Sequence, residues 1–158
     1  MKKITRFLFL LVAAPFLFCG CNQEDDVNEI FDSGVWYFVN YYTSVDWNSN
    51  NDRHAKEVYT EESDINDIAK FTITFKSDGT FSGTLIGGGI FSGHWEAEAE
   101  DRTFAVIGDV RTNIGLSGKN QEFITKLKEA QFYRGDSRMM LRLAPKIKTT
   151  CMQFAHYN

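Results

Sequence analysis

Asp46, Asn48, Asn50 and Glu57 stand at the first, third, fifth and twelfth places of a calcium loop counted from Asp46. Oxygen donors at that spacing can wrap one hard cation. Three features oppose the reading. Asn51 occupies the place of the turn glycine, Arg53 that of the apolar residue, and a strand pattern precedes the loop where a helix is required. A loop rich in Asn and Asp meets such a pattern easily, so calcium is the minor alternative for this segment and a solvated loop the major one. The three histidines, His54, His94 and His156, are far apart in sequence, and no zinc site is expected from them. Ser82 and Ser92 lie in Phe-Ser-Gly, which is not a nucleophile elbow. No Cys-x-x-Cys, His-Glu-x-x-His or phosphate-binding glycine loop occurs. The acidic side chains cluster in loops, and no carboxylate pair for acid–base work stands out. No catalytic residue and no cofactor are assigned, and an enzyme is the least favoured class.

The N-terminus carries an address. Lys2, Lys3 and Arg6 precede an apolar run from Phe7 to Phe18, too short to span a bilayer and of the length of a signal-peptide core. Phe18-Cys19-Gly20-Cys21 resembles a bacterial lipobox, with Gly20 before the cysteine that becomes the new N-terminus. That resemblance implies lipidation of Cys21, and two acyl chains anchor a protein stably at about 0.8 kcal/mol per buried methylene. Loss of residues 1–20 removes three basic side chains and no acid, so the net charge moves from -4 to -7. Such a domain is soluble, and no basic cluster offers a nucleic-acid surface. Asn22-Gln23-Glu24-Asp25-Asp26 reads as an acidic tether. It also resembles the acidic export signal of surface-exposed lipoproteins of the Bacteroidota. Cys151 is then the one thiol left, and inside a strand-like run it reads as a small buried hydrophobe. The expected organisation is a signal peptide over 1–20, a tether over 21–29 and one folded domain over 30–158.

The domain reads as mainly β. Val35 to Tyr42 is aromatic and β-branched, and Phe71-Thr72-Ile73-Thr74-Phe75 alternates as a half-buried strand does. The polar stretch Thr43–Asn66 reads as a long loop with helical turns near Ala55–Tyr59 and Asp64–Ala69. Ser77-Asp78-Gly79 predicts a three-residue turn placing Phe75 opposite Phe81. Taking Gly87-Gly88-Gly89 as a second such turn pairs Gly83 with Gly93 and Phe81 with Trp95. Two facing glycines would let a ligand or a large side chain approach the backbone. Phe123, Leu127 and Ala130 mark one amphipathic helix near residues 120–130. Arg134-Gly135-Asp136, an integrin-binding tripeptide by spelling, reads as a turn. Seven to eight strands in local hairpins predict an antiparallel meander curled into an open barrel and closed by that helix.

The run Phe75-x-x-Asp78-Gly79-Thr80-Phe81-x-Gly83, then Gly93-x-Trp95, then Glu122-Phe123 through Tyr133-x-Gly135-Asp136 to Leu141-x-Leu143, resembles the META and lipocalin-like domains of small Gram-negative lipoproteins. The resemblance implies an envelope location, in the outer membrane, and no catalytic motif, and the sequence leaves open whether the domain faces the periplasm or the cell surface. The expected role is a non-catalytic binding module for a small apolar ligand or an envelope protein, with Trp36, Phe81, Gly83, Gly93 and Trp95 lining a hollow interior. The alternative is a structural or stress-related lipoprotein without a cavity. The sequence leaves oligomeric state open. Replacing Cys21 by Ala is expected to release the protein from membranes or block its processing. Metabolic labelling with a radioactive fatty acid checks this, and an unlabelled wild-type protein would refute it.

Overall fold

A computed structural model describes residues 23–49, 52–136 and 139–157. Helix α1 (Gln23–Phe31) leads into strand β1 (Val35–Thr43), a two-residue strand β2 (Lys56–Glu57) and helix α2 (Glu62–Ile68). Strands β3 (Thr72–Phe75), β4 (Thr80–Thr84), β5 (Ile90–Glu98) and β6 (Thr103–Thr112) follow as a meander. Helix α3 (Gly118–Glu129) precedes β7 (Phe132–Gly135), β8 (Met140–Ala144) and β9 (Thr150–Ala155). All nine strands form one antiparallel sheet, and β1 pairs with both β3 and β9, so the sheet closes on itself. The mainly β class and the helix near residues 120–130 are as expected. The loop segment near Ala55–Tyr59 forms β2 instead of a helical turn, because it hydrogen-bonds along the end of β1.

Alternation places Ile73 and Phe75, Phe81, Phe91 and Trp95, and Leu141 and Leu143 inside the ring. The interior is filled from both ends. Phe71 and Phe75 sit at opposite ends of β3, and each meets a different plug. At the Phe75 end, Phe31 of α1 is fully buried, stacks on Trp95 at 4.6 Å between centroids and on Phe104 at 5.6 Å, and meets the edges of Phe75 and Tyr133. At the Phe71 end, Phe123 of α3 stacks on Phe71 at 4.4 Å and meets Phe38, Phe91 and Phe154 edge-on. Such pairs add about 0.5–1.5 kcal/mol each beyond area burial. The acidic segment therefore runs straight into the core: Val27 and Ile30 are buried with Phe31, so the folded part begins before residue 30. β6 and β7 share a single register pair, Thr103 with Phe132, and α3, which joins these strands, packs on β6. Lys119 locks α3 to α2 through Asp64 at 2.7 Å and Asp67 at 2.9 Å.

The first hairpin has the expected register, Phe75 opposite Phe81, with Gly79 at φ +79°. The second does not. Thr84 pairs with Ile90, so the loop is Leu85–Gly89, closed by the Leu85 N–H donating to the Gly89 carbonyl at 2.8 Å. The Asn120 amide of α3 holds it, accepting from the Ile86 N–H at 3.0 Å and donating to the Ile86 carbonyl at 3.2 Å. Five residues keep the odd parity of three, so the faces are right and the partners shift by two. Gly83 lies opposite Phe91 and Gly93 opposite Phe81, and the proposed glycine pair does not exist. Each glycine instead lies under the ring across from it. A Cβ on Gly93 would fall 2.6 Å from the Phe81 ring, whereas one on Gly83 would also fall 2.0 Å from the Thr72 carbonyl oxygen. A ring can tilt, while a paired backbone carbonyl cannot move without breaking the ladder. Gly83→Ala is therefore expected to cost about 1–3 kcal/mol, and Gly93→Ala distinctly less. Urea denaturation of both variants tests the order, and equal losses would contradict it.

Candidate functional site

Trp36, Phe81 and Trp95, expected to line a hollow interior, are buried side chains of the filled core. Gly83 and Gly93 lie beneath Phe91 and Phe81 in the same packing. The barrel axis is thus occupied by Phe31 and Phe123, and the five residues do not assemble a cavity within it. Trp36 stacks on His156 at 3.8 Å. The His156 ring bonds the Val35 carbonyl at 2.8 Å and Ser33 Oγ at 2.9 Å, and so clasps the end of α1 to β9.

Of the described oxygen donors proposed for calcium, Glu57 and Asp46 have partners within the protein. Glu57 lies on β2 and accepts from the Tyr42 hydroxyl at 3.1 Å. Asp46 Oδ1 receives the Asn48 N–H at 3.2 Å, and Asn50 lies outside the described residues. Asp52, which the spacing does not single out, organises the loop by accepting the N–H groups of Asp46, His54 and Ala55. Against a desolvation penalty that acts upward, those bonds and the charge of Arg142 hold its carboxyl below the usual range. The guanidinium of Arg134 donates to the carbonyls of Trp47 and Ser49, so a side chain of β7 supplies the positive charge here. Among the described residues, no group of three His, Cys, Asp or Glu side chains could hold a metal ion. The loop is a strap: Val45, Trp47 and Ala55 pack with Ala144, Cys151 and Tyr42 into a small second core outside the ring. Burial raises the Cys151 thiol to about 11, so it stays protonated and is a poor nucleophile.

A lateral cleft opens where α3 passes the ends of β1, β8 and β9. It encloses about 570 Å³ including its mouth, with apolar walls from Val58, Leu143, Pro145 and Met152. Tyr41, Glu122 and Lys126 also line it. Its geometry originates in a β-bulge between Phe38 and Asn40 of β1, which reverses the alternation and turns Tyr41 inward. Asn40 pins the neighbouring segment, donating to the Tyr59 carbonyl at 2.7 Å and accepting the Tyr59 N–H at 3.0 Å. Tyr59 thereby reaches Glu122, its hydroxyl donating at 2.5 Å. Lys126 Nζ lies 4.0 Å from Glu122 and 5.4 Å from the Tyr41 ring centre. Tyr41 is only 4% exposed, and its buried hydroxyl has no hydrogen-bond partner among the described residues. Burial, then the charges of Glu122 and Tyr59, push this phenol far above its ordinary range, so it remains a donor. Sequence reading missed Tyr41, Tyr59 and Lys126. Strict alternation along β1 turns Tyr41 outward, and the one signal against it is a polar Asn40 inside an aromatic run.

A closed nine-stranded antiparallel ring with an aromatic-filled interior and a cleft at its side defines a small β domain. The chain belongs to the DUF4847 family, a domain of unknown function, which residues 22–156 match. It is similar to the crystal structure of a DUF4847 family protein from Bacteroides vulgatus ATCC 8482, with 35% identity and a TM-score of 0.71 over 83% of this chain and 97% of that one. An NMR structure of a protein from Burkholderia xenovorans shares the fold alone, at 13% identity and a TM-score of 0.54 over 100% of this chain and 99% of that one. No curated protein matches significantly.

Desolvation, then the bond to Glu122, raise Tyr59 to about 12, and desolvation and Glu57 do the same for Tyr42. Unfolded tyrosines ionise near about 10. The folded state holds these protons more tightly, so their contribution is complete below pH about 10 and is lost as pH climbs through about 12. Unfolding free energy measured against pH should fall across that window, and less steeply in Tyr59→Phe. Identical slopes in the two proteins would contradict the assignment.

Proposed function

We propose that this protein is an envelope lipoprotein, held in the outer membrane through acylated Cys21, whose domain binds a small, largely apolar ligand in the cleft beneath α3. The observation that carries the binding reading is the buried Tyr41 hydroxyl. Buried polar groups are almost always hydrogen-bonded, and leaving one unmade costs about 1–3 kcal/mol. An acceptor on a ligand lying against Leu143 and Met152 would meet it. The walls supply apolar contact, Tyr59 and Lys126 are engaged with Glu122, and Glu129 also lines the cleft. That arrangement suits binding better than proton transfer, so the role is non-catalytic.

The anchor rests on the basic N-terminus, the apolar run and Gly20-Cys21, which lie outside the described residues. The resemblance to META and lipocalin-like lipoproteins supports it, and similarity to a Bacteroides protein agrees with the Bacteroidota pattern of the acidic run. The filled interior favours one second reading, a structural or stress-related lipoprotein that works through an envelope partner.

Tyr41→Phe separates the two. If the cleft awaits an acceptor, removing the hydroxyl raises the stability of the free domain by about 1 kcal/mol. Thr150→Trp at the mouth should then abolish binding of the neutral dye Nile red without lowering the melting temperature. Loss of stability in Tyr41→Phe, or dye binding unchanged in Thr150→Trp, would overturn the cleft as the site.

A further inference from the structure

A second pocket lies beside the strap, away from the cleft. The β7–β8 hairpin, the Trp47–Ser49 segment and Arg102 enclose about 1,090 Å³ including open space. Among the described residues three arginines line it, Arg102, Arg134 and Arg142, against one carboxylate, Asp136. This concentration of positive charge occurs on a chain whose net charge is -4. We propose that this pocket binds a multiply charged oxyanion of the phosphate class through the three guanidinium groups.

Arg134 and Arg142 hold the strap and β9, yet the placement of the arginines carries a cost. Arg134 and Arg142 are direct cross-strand partners, a placement in which like charges repel. Arg102 sits at φ +52° in the β5–β6 turn, a conformation that suits glycine or asparagine and strains an arginine. Asp52, whose carboxyl the charge of Arg142 helps hold low, accepts three backbone N–H groups within the strap. Asp136 takes the Met139 N–H at 2.7 Å and shapes the hairpin turn. The pocket is pre-organised. Arg134 donates to the Trp47 and Ser49 carbonyls, and Arg142 Nε donates to Gln153 Oε1 at 2.9 Å while its guanidinium lies 6.0 Å from the Tyr42 ring centre. Each guanidinium carries five donors in a planar fork that matches phosphate oxygens, and the bonds named hold Arg134 and Arg142 in place. Opposed arginines held in place before binding lose little freedom on binding, and an oxyanion between them turns repulsion into attraction. Arg134-Gly135-Asp136 thus belongs to a strapped hairpin, and its arginine is committed to this pocket.

The same chemistry is offered by a free phosphate ester and by an anionic lipid headgroup. The test uses the mature chain with Cys21→Ala, which removes the acyl anchor. Calorimetric titration with inorganic pyrophosphate at constant ionic strength, with chloride as control, reads the first source. Cosedimentation with phosphatidylglycerol vesicles against phosphatidylcholine vesicles reads the second. Saturable pyrophosphate binding without vesicle binding identifies a soluble phosphate ligand, and phosphatidylglycerol-selective cosedimentation a headgroup. In either case Arg102→Gln, an exposed turn position, should weaken binding at least tenfold with the melting temperature kept, and Arg142→Gln should do the same. Absence of binding in both arms overturns the proposal, as does binding that either variant leaves unchanged. The cleft and Tyr41 take no part, so this outcome leaves the proposed small-ligand site untouched.

Discussion

One strand closes the sheet. β1 pairs with β3 through Val35, Trp36 and Tyr37, and with β9 from Tyr37 to Thr43, and this double duty turns a curled sheet into a ring. A regular strand of that length would present every second residue to the same side from end to end. The bulge between Phe38 and Asn40 breaks the rule. Trp36 and Phe38 face the core before it, and Tyr41 faces inward after it. The extra residue puts Asn40 where its amide holds both backbone groups of Tyr59, and Tyr59 in turn engages α3 at Glu122. The cleft is therefore a product of how the ring closes.

Filling the ring has a cost in options. With Phe31 entering from one end and Phe123 from the other, the interior is packed as cores generally are, with little room for a guest. The pockets therefore lie at the periphery, where α3 and the strap meet the outer and end surfaces. In this domain the helices do what loops do around an empty barrel: they decide what the surface can hold.

What was legible in the sequence is what local chemistry decides. The Ser77-Asp78-Gly79 turn needs only its own residues to reach φ +79°, and its register follows. The helix over Gly118–Glu129 announces itself by its apolar stripe. The second hairpin was not legible, because Asn120, more than thirty residues downstream, sets its loop length. The oxygen-rich loop reads as solvated, with a cation site as the minor alternative, and only the fold brings Arg134 to its carbonyls. The acidic run before Val27 reads as a tether by charge alone, since nothing local says that Phe31 has a cage of four aromatic rings waiting for it. The glycines were recognised as places of close approach, correctly, with the wrong neighbours assigned.

The position of Phe31 has a mechanical meaning. Whatever lies upstream of residue 23 reaches the domain through α1, and the last residue of that helix is sealed between Trp95, Phe104, Phe75 and Tyr133. A pull on the N-terminal side loads these ring contacts and the Ser33–His156 clasp before it loads any strand pair. Dispersion contacts vanish within a fraction of an ångström of separation. Drawing the plug would open one mouth of the ring while its strands stayed paired. Strain on the N-terminus and exposure of the aromatic interior are thus joined through one side chain.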